Sequence, residues 1–130
     1  LISAGVGLTP MVSMLHVLAR EDTDRPVWFV HGAHDGSHHP LKEEVAGLAS
    51  RRDGISVHVA YSQPSDRDRT QGGYDSVGRI DRTLLAKIVA GQEAHYMLCG
   101  PVGFMAGVQQ DLETLGVHPD NIHSESFGPR

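Results

Sequence analysis

The sequence predicts an α/β fold, a doubly wound parallel five-stranded sheet with helices on both faces. Short apolar runs alternate along the chain with longer segments whose apolar residues recur at helical spacing. The chain has 130 residues, 39% of them hydrophobic and 21% charged, which is the composition of one ordinary globular domain. Because strands that alternate with helices pair in parallel, their carboxyl ends should meet at one edge, where such sheets bind ligands.

The opening residues predict the first strand and the first helix. An apolar start runs into a turn with glycine at positions 5 and 7, and glycine lets the backbone turn sharply. Pro10 fits the first turn of a helix, where its missing N–H has no partner to lose. The helix continues with apolar residues at helical spacing, namely Met11, Met14, Leu15 and Leu18.

The remaining elements alternate in the same way. Residues 27–30 form a continuous apolar run, as expected of a strand buried on both faces. Residues 63–78 are polar and predict a long loop, a feature that is usually functional or mobile inside a compact domain. The other predicted elements are helices over residues 41–49 and 102–115, a helix capped by Asp81, and strands over residues 55–61, 95–99 and 121–125.

Charge and composition disfavour several classes of function. A formal net charge of −5 argues against a nucleic-acid partner, and no apolar run approaches the length of a membrane span. The single cysteine, Cys99, cannot form an internal disulfide and fits the reducing cytoplasm. Since the chain starts within a predicted strand and without methionine, we expect one domain over residues 1–130 that is a fragment of a longer polypeptide.

Glycines and polar residues gather at the carboxyl edge of the predicted sheet. A standard dinucleotide fingerprint would have a third glycine at position 10 and an acidic residue at the end of strand two, whereas this chain has Pro10 and His31. This departure points away from the common dehydrogenases. Alone, the turn over residues 5–10 is as consistent with an ordinary strand–turn–helix connection as with phosphate binding.

Three motifs at these strand ends are similar to those of a known family. They are Gly5-Val6-Gly7-Leu8-Thr9-Pro10, Cys99-Gly100-Pro101-Val102-Gly103-Phe104-Met105 and Glu125-Ser126-Phe127-Gly128-Pro129. Together they resemble the ferredoxin–NADP reductase superfamily, and in particular the C-terminal NAD(P)-binding domain of the flavohaemoglobins, the nitric oxide dioxygenases. The resemblance implies a domain that binds NAD(P)H and delivers hydride to FAD. An FAD-binding barrel domain and a haem-carrying globin domain would lie on the same polypeptide.

The resemblance also assigns roles to the first and fourth strand ends. The diphosphate of the cofactor would be cradled by residues 5–10, that is by Gly5, Val6, Gly7, Leu8, Thr9 and Pro10. Cys99 would lie near the nicotinamide ring, although most lone cysteines are small buried side chains. Gly100 and Pro101 would let the next turn approach the ring, while Met105 faces either the ligand or the core.

The end of the chain is expected to meet the flavin. By resemblance, Phe127 lies over or beside the flavin ring and Glu125 tunes the site where flavin and nicotinamide meet, so Glu125 joins Cys99 as a catalytic residue. The alternative for Phe127 is an aromatic cap on the core. Ser126 stands where family members often carry cysteine, and Gly128 and Pro129 complete this part of the expected cofactor site.

Cofactor preference is predicted from the end of strand three. Relatives that use NADPH carry Ser-Arg there, and the guanidinium pairs with the 2′-phosphate. This chain has Ser62-Gln63, which favours NADH because a neutral amide supplies no charge. Arg67 and Arg69 follow closely and offer an alternative source of charge. His31 and Gly32, at the end of strand two, complete the expected cofactor-binding residues.

Two further interpretations remain open, and one is disfavoured. The same two-domain frame serves reductase components of oxygenases and of iron–sulfur electron-transfer systems, and the fold could also be a binding module without catalysis. A metal site is not expected. His34, His38 and His39 share a loop, but adjacent histidines on a loop rarely form a tetrahedral site without further ligands.

Overall fold

The architecture is that of a parallel sheet between two layers of helices. The computed structural model describes residues 1–21, 25–89 and 94–126. Its strands are β1 (Ile2–Ala4), β2 (Val27–Ala33), β3 (Ile55–Tyr61), β4 (Ser76–Val77), β5 (Tyr96–Gly100) and β6 (Ile122–Ser126). Its helices are α1 (Leu8–Ala19), α2 (Lys42–Ala49), α3 (Asp66–Gln71), α4 (Arg82–Val89) and α5 (Val102–Thr114), with 3-10 turns at Gly5–Gly7, Gly36–His38 and Pro119–Asn121.

The strand order places a topological switch point beside β1. The order is β4-β3-β2-β1-β5-β6, and every neighbouring pair is parallel. From β1 the chain winds outward to β4 and then returns to the opposite side of β1 as β5. Loops that follow β1 and β5 therefore diverge to opposite faces of the sheet, which opens a crevice between them at the carboxyl edge.

The predicted five-stranded sheet is wrong by one strand. The segment over residues 63–78, expected to be a loop, contains α3 and the two-residue strand β4, which pairs with β3 through Ala60↔Ser76 and Tyr61↔Val77. A strand of two residues has no alternation to detect, so its existence depends on the neighbouring edge of β3. The α/β class, the parallel sheet and the helices on both faces are confirmed.

Two hydrophobic clusters hold the helical layers to the sheet. On one face α1 and α2 pack on Phe29 and Cys99, and on the other α4 and α5 pack on Val30 and Leu98. Adjacent residues of β2 and of β5 thus point to opposite faces, as the pleat requires. Within the described part of the chain, no helix is long and apolar enough to cross a membrane.

Candidate functional site

The crevice between β1 and β5 is formed by two loops in backbone contact. A methyl group added to Gly7 would overlap the carbonyl group of Cys99. A methyl group at Gly100 would lie 2.9 Å from Cδ2 of Phe104 and 3.1 Å from the carbonyl oxygen of Ala4. Glycine at both positions is therefore a steric requirement, because it lets the turn after β1 rest directly against the end of β5.

The solvent side of the crevice is lined by exposed backbone and small apolar groups. Gly5 has a positive φ of 55°, and the side chain of Val6, which follows it, is 67% exposed. Thr9 is exposed in the first turn of α1, and Pro101 and Val102 are exposed where α5 begins. A ligand in the crevice would therefore contact main-chain groups and short side chains from both loops.

Two helix N-termini meet at this crevice without neutralising side chains. Among the described residues, no side chain caps α1 or α5, and neither helix has an acidic residue in its first turn. By contrast, α2 has Glu43 and Glu44 in its first turn, and α3 has Asp66 and Asp68. Because a helix N-terminus carries partial positive charge, the crevice is the less screened of these positions and suits an anionic group.

Several predicted cofactor residues contribute backbone rather than side chains at the crevice. The side chains of Leu8 and Cys99 are 1% and 0% exposed, and both belong to the cluster between α1 and the sheet. Met105 is buried against the opposite face, which resolves its two predicted orientations in favour of the core. The thiol of Cys99 thus packs beneath α1, while its carbonyl group faces Gly7.

His31 is a buried neutral residue at the end of β2. Its side chain is 0% exposed, its Nδ1 lies 2.8 Å from Oγ of Ser3, and its ring stacks on His39 at 5.6 Å between centroids. Its Nε2 has no hydrogen-bond partner among the described residues. Burial, with a smaller contribution from His39, lowers the pKa of His31 to about 4, so the imidazole carries no charge at neutral pH. Gly32 follows it and packs against Ile80.

The loops after β2 and β3 are joined by hydrogen bonds. The amides of Ser62 and Gln63 donate to the carbonyl oxygens of Ala33 and His34 at 3.0 and 2.9 Å, which continues the β2–β3 pairing beyond the strands. Farther out, the Asp68 carboxylate accepts hydrogen bonds from the amides of Gly36 and Ser65. These backbone donors lower the pKa of Asp68, so it is ionised at neutral pH.

We call this connection the β2–β3 latch and define it as Asp68 bound to the amides of Gly36 and Ser65. The sequence alone did not predict it. The signal for half of it was present, because Ser65-x-x-Asp68 is a capping-box pattern at the start of α3. The other half joins residues that are 32 positions apart. A methyl group at Gly36 would overlap the Asp68 carboxylate, so a larger residue there would displace this side chain from the amides it binds.

A groove of about 400 Å³ lies away from the crevice, between α2 and β3. Its floor is apolar, and its rim includes His39, Lys42 and Tyr74. Nδ1 of His39 lies 2.7 Å from the hydroxyl of Tyr61, whose ring stacks on Tyr74 at 5.0 Å. The groove does not touch the β1 or β5 loops, so its lining shares none of the predicted cofactor residues.

The predicted flavin-facing residues lie at the limit of the described chain. Glu125 and Ser126 end β6 and pair in register with Cys99 and Gly100, which places their backbone at the carboxyl edge. Phe127, Gly128 and Pro129 lie outside the described residues. Among the residues that are described, no group of three or more His, Cys, Asp or Glu side chains could hold a metal ion.

Comparison with known proteins agrees with this geometry. The family model of the oxidoreductase NAD-binding domain matches residues 1–110. The flavohemoprotein of Bacillus cereus is 40% identical over 129 residues, covering 99% of this chain and 32% of the relative, so the chain spans about a third of the curated relative's length.

Two solved structures have the same fold. The flavohemoglobin of Malassezia yamatoensis, with bound FAD and heme, has a TM-score of 0.82 at 28% identity and covers 98% of this chain and 30% of its own. The flavohem-like FAD/NAD binding domain of nitric oxide dioxygenase from Vibrio cholerae has a TM-score of 0.76 at 32% identity, covering 98% of this chain and 50% of its own. The resemblance seen in the three motifs is thereby confirmed, and the chain belongs to the oxidoreductase NAD-binding domain family.

Proposed function

We propose that this chain binds NAD(P)H, with NADH preferred, in the β1–β5 crevice and presents the nicotinamide to an FAD held by another domain. The observation that carries the proposal is the convergence of two N-termini, those of α1 and α5, at the switch point. Each lacks a capping side chain and a first-turn acid among the described residues. A diphosphate is the anion that such a position suits best.

The residues of the crevice fit the dinucleotide in shape as well as in charge. Gly5, Val6 and Thr9 are exposed around the start of α1, where the diphosphate would lie. Pro101 and Val102 offer an exposed apolar rim beside Gly100, where a flat ring could approach the backbone. Cys99 would support this surface from below by packing, because its thiol is buried.

The bound nicotinamide supplies the hydride, and this chain supplies position and electrostatics. The two helix N-termini orient the diphosphate, and the glycine contact between Gly7 and Cys99 fixes the distance between the two walls of the crevice. In this proposal Glu125, Ser126 and Phe127–Pro129 complete the site on the side of the flavin, in line with the resemblance. None of the crevice side chains needs to transfer a proton.

The preference for NADH is supported by Gln63. This side chain is exposed beside the amides that join the β2 and β3 loops, and an amide offers no charge for a 2′-phosphate. Arg67 and Arg69 lie on α3 beyond the β2–β3 latch. They keep the alternative of NADPH binding open to experiment.

The polypeptide that carries this chain is proposed to be a cytoplasmic flavohaemoglobin that oxidises nitric oxide to nitrate. Support comes from the relatives: one is a flavohemoprotein, and one solved neighbour holds FAD and heme. Electrons would pass from FAD to a haem in a globin domain. Rapid mixing of NADH with the whole polypeptide should bleach the flavin absorbance and then shift the haem spectrum. Flavin reduction without any haem change would favour a reductase that serves an oxygenase or an iron–sulfur protein.

Cofactor binding is tested by placing a charge at the crevice. Val6→Asp puts a carboxylate beside the proposed diphosphate, and because Val6 is 67% exposed the fold should tolerate it. Like-charge repulsion should weaken NADH binding about tenfold or more in calorimetric titration. The matched control is Val17→Asp, since Val17 is 62% exposed on α1 away from the crevice. Equal affinities for both variants would contradict the proposal.

A further inference from the structure

Three side chains with metal-binding atoms, those of His95, Met97 and His123, lie near the amino end of the β5–β6 pair. Met97 pairs in register with His123 across the two strands, and His95 lies two residues before Met97. Nδ1 of His95 is 3.2 Å from Nε2 of His123, and the two rings are nearly parallel at an angle of 22°. This cluster is at the opposite end of β5 from Cys99 and Gly100.

The spacing of the two imidazole nitrogens matches that of two ligands on one metal ion. Ligand nitrogens about 2.0 to 2.1 Å from an ion, at a tetrahedral angle, are about 3.3 Å apart. The observed 3.2 Å is within a tenth of an ångström or so of that separation. Both histidines are exposed, so each ring can rotate from its partner toward a shared ion.

Sulfur is available next to this pair. Met97 and His123 line one small cavity of about 100 Å³, together with the thioether side chains of Met11 and Met14 from α1 and with the buried Cys99 at its crevice end. Thioether and imidazole are neutral ligands, and soft thioether sulfur selects monovalent copper over zinc or the harder divalent ions. No carboxylate is among the residues that line this cavity.

We propose that His95, His123 and the thioether of Met97 form a binding site for monovalent copper. The ion would lie between the two imidazole nitrogens and the sulfur, with α1 closing one side of the site. It would tie β6, the edge strand, to β5. The carboxyl end of the same strand carries Glu125 and Ser126, so copper would stabilise the element that supports the crevice. The inference does not depend on the proposed function.

A second histidine pair provides a matched control. The rings of His34 and His38 lie 5.7 Å apart, comparable to the 5.4 Å between His95 and His123, but they meet edge to face at 87°. In addition, Nδ1 of His38 lies 2.8 Å from the Asp35 carboxylate, which occupies that nitrogen. The second pair thus has one ring nitrogen bound to a carboxylate, whereas the ring nitrogens of His95 and His123 are hydrogen-bonded to each other and would exchange that bond for a shared ion.

The site is tested with monovalent copper itself, titrated without oxygen into the 130-residue chain against a chromophoric copper chelator. We expect one ion per chain. Either His95→Ala or His123→Ala should weaken binding about tenfold or more, since each removes one of three ligands. Met97→Leu, which nearly preserves volume, should weaken copper binding but leave the weaker binding of zinc unchanged. The double variant His34→Ala/His38→Ala should bind copper as the original chain does.

Two results would overturn the inference. One is failure of the chain to take copper from the chelator at all. The other is copper binding that survives His95→Ala and is lost in Cys99→Ala, which would assign the metal to the thiol. His95 is exposed, so His95→Ala removes no core packing and should fold. It therefore tests the site even if a variant of a more buried residue fails to fold.

Discussion

Two parts of the same sheet edge are built in opposite ways. At the β1–β5 crevice the loops touch through backbone, with Gly7 against Cys99 and Gly100 against Ala4. At the β2–β3 latch a side chain adds to the backbone hydrogen bonds between the loops, because the Asp68 carboxylate accepts hydrogen bonds from the amides of Gly36 and Ser65. The first arrangement leaves two helix N-termini without a capping side chain among the described residues, whereas the second binds amide donors to a carboxylate.

The two parts also differ in charge. The pKa of Asp35, near the latch, is lowered to about 2, because its carboxylate accepts hydrogen bonds from the side chains of Ser37 and His38. Asp68 is likewise ionised, so two carboxylates are fixed there. The crevice has two helix N-termini without first-turn acids among the described residues. Of these two parts of the edge, the crevice is therefore the one that suits an anionic group.

The largest expected effect comes from breaking the backbone contact at the crevice. Gly7→Ala forces a methyl group into the carbonyl group of Cys99, so the two loops must separate. We expect a loss of about 3 kcal/mol in the free energy of unfolding, measured with urea. The control is Gly107→Ala on α5, where a methyl group meets nothing within 4 Å. It should be neutral or stabilising by about 1 kcal/mol, and equal losses in both variants would remove the steric argument.

Acid should weaken the fold through His31, which lies where the two parts of the edge meet. Its pKa of about 4 in the folded chain is below the ordinary histidine value of 6.5, so the unfolded chain binds a proton in that range and the folded chain does not. Stability therefore falls as the pH drops from about 6.5 to about 4, and this histidine should account for roughly 3 kcal/mol of the fall.

Variants separate this contribution from the other titrating groups. His31→Gln should show a smaller difference in unfolding free energy between pH 7 and pH 4, by urea titration at each pH. His118→Gln replaces an exposed histidine and should retain the full difference. If His31→Gln loses as much stability on acidification as the original chain, the buried neutral state of His31 is not the cause.

A positive charge at position 63 should shift the cofactor preference away from NADH and toward NADPH. Gln63→Arg supplies a guanidinium for a 2′-phosphate and should raise NADPH affinity about tenfold relative to NADH. Calorimetric titration with both cofactors measures the ratio. Replacing Arg67 and Arg69 with glutamine tests the alternative. If the arginine variants lose NADPH affinity and Gln63→Arg gains none, the 2′-phosphate contacts α3 and not position 63.

The smallest expected effect comes from the latch itself. Asp68→Asn keeps the side-chain volume but replaces the carboxylate that accepts two amide hydrogen bonds. The urea midpoint should fall, by less than in Gly7→Ala, because the latch is at the surface. Asp66 is exposed in the same helical turn, so Asp66→Asn should lower the urea midpoint less still. A larger fall in Asp66→Asn would show that helix charge, and not the latch, explains the effect.

The fold and the crevice follow from local sequence signals, and the latch does not. The spacing of Gly5 and Gly7 before a helix, together with Gly100 after a strand, predicts two turns at one edge of a parallel sheet. The pairing of Gly36 with Asp68 depends on a contact across 32 residues that no periodicity encodes. β4 was missed for the same reason, since its two residues are a strand only beside β3.

The burial of individual side chains was also beyond the sequence. Met105 had two equally plausible orientations, and the packing of α5 on β5 decides for the core. His31 occupies a position where a polar residue at a strand end suggests ligand contact. Its burial, its hydrogen bond to Ser3 and its stacking on His39 depend on tertiary contacts that the sequence does not show.

The most direct test of the central claim is a map of backbone amide shifts as NADH is titrated into the chain. We predict the largest changes at residues 5–10 and 100–104, around the N-termini of α1 and α5, with small changes at residues 94–97. Changes concentrated instead on the groove formed by His39, Lys42 and Tyr74 would contradict the account, because the cofactor would then lie between α2 and β3.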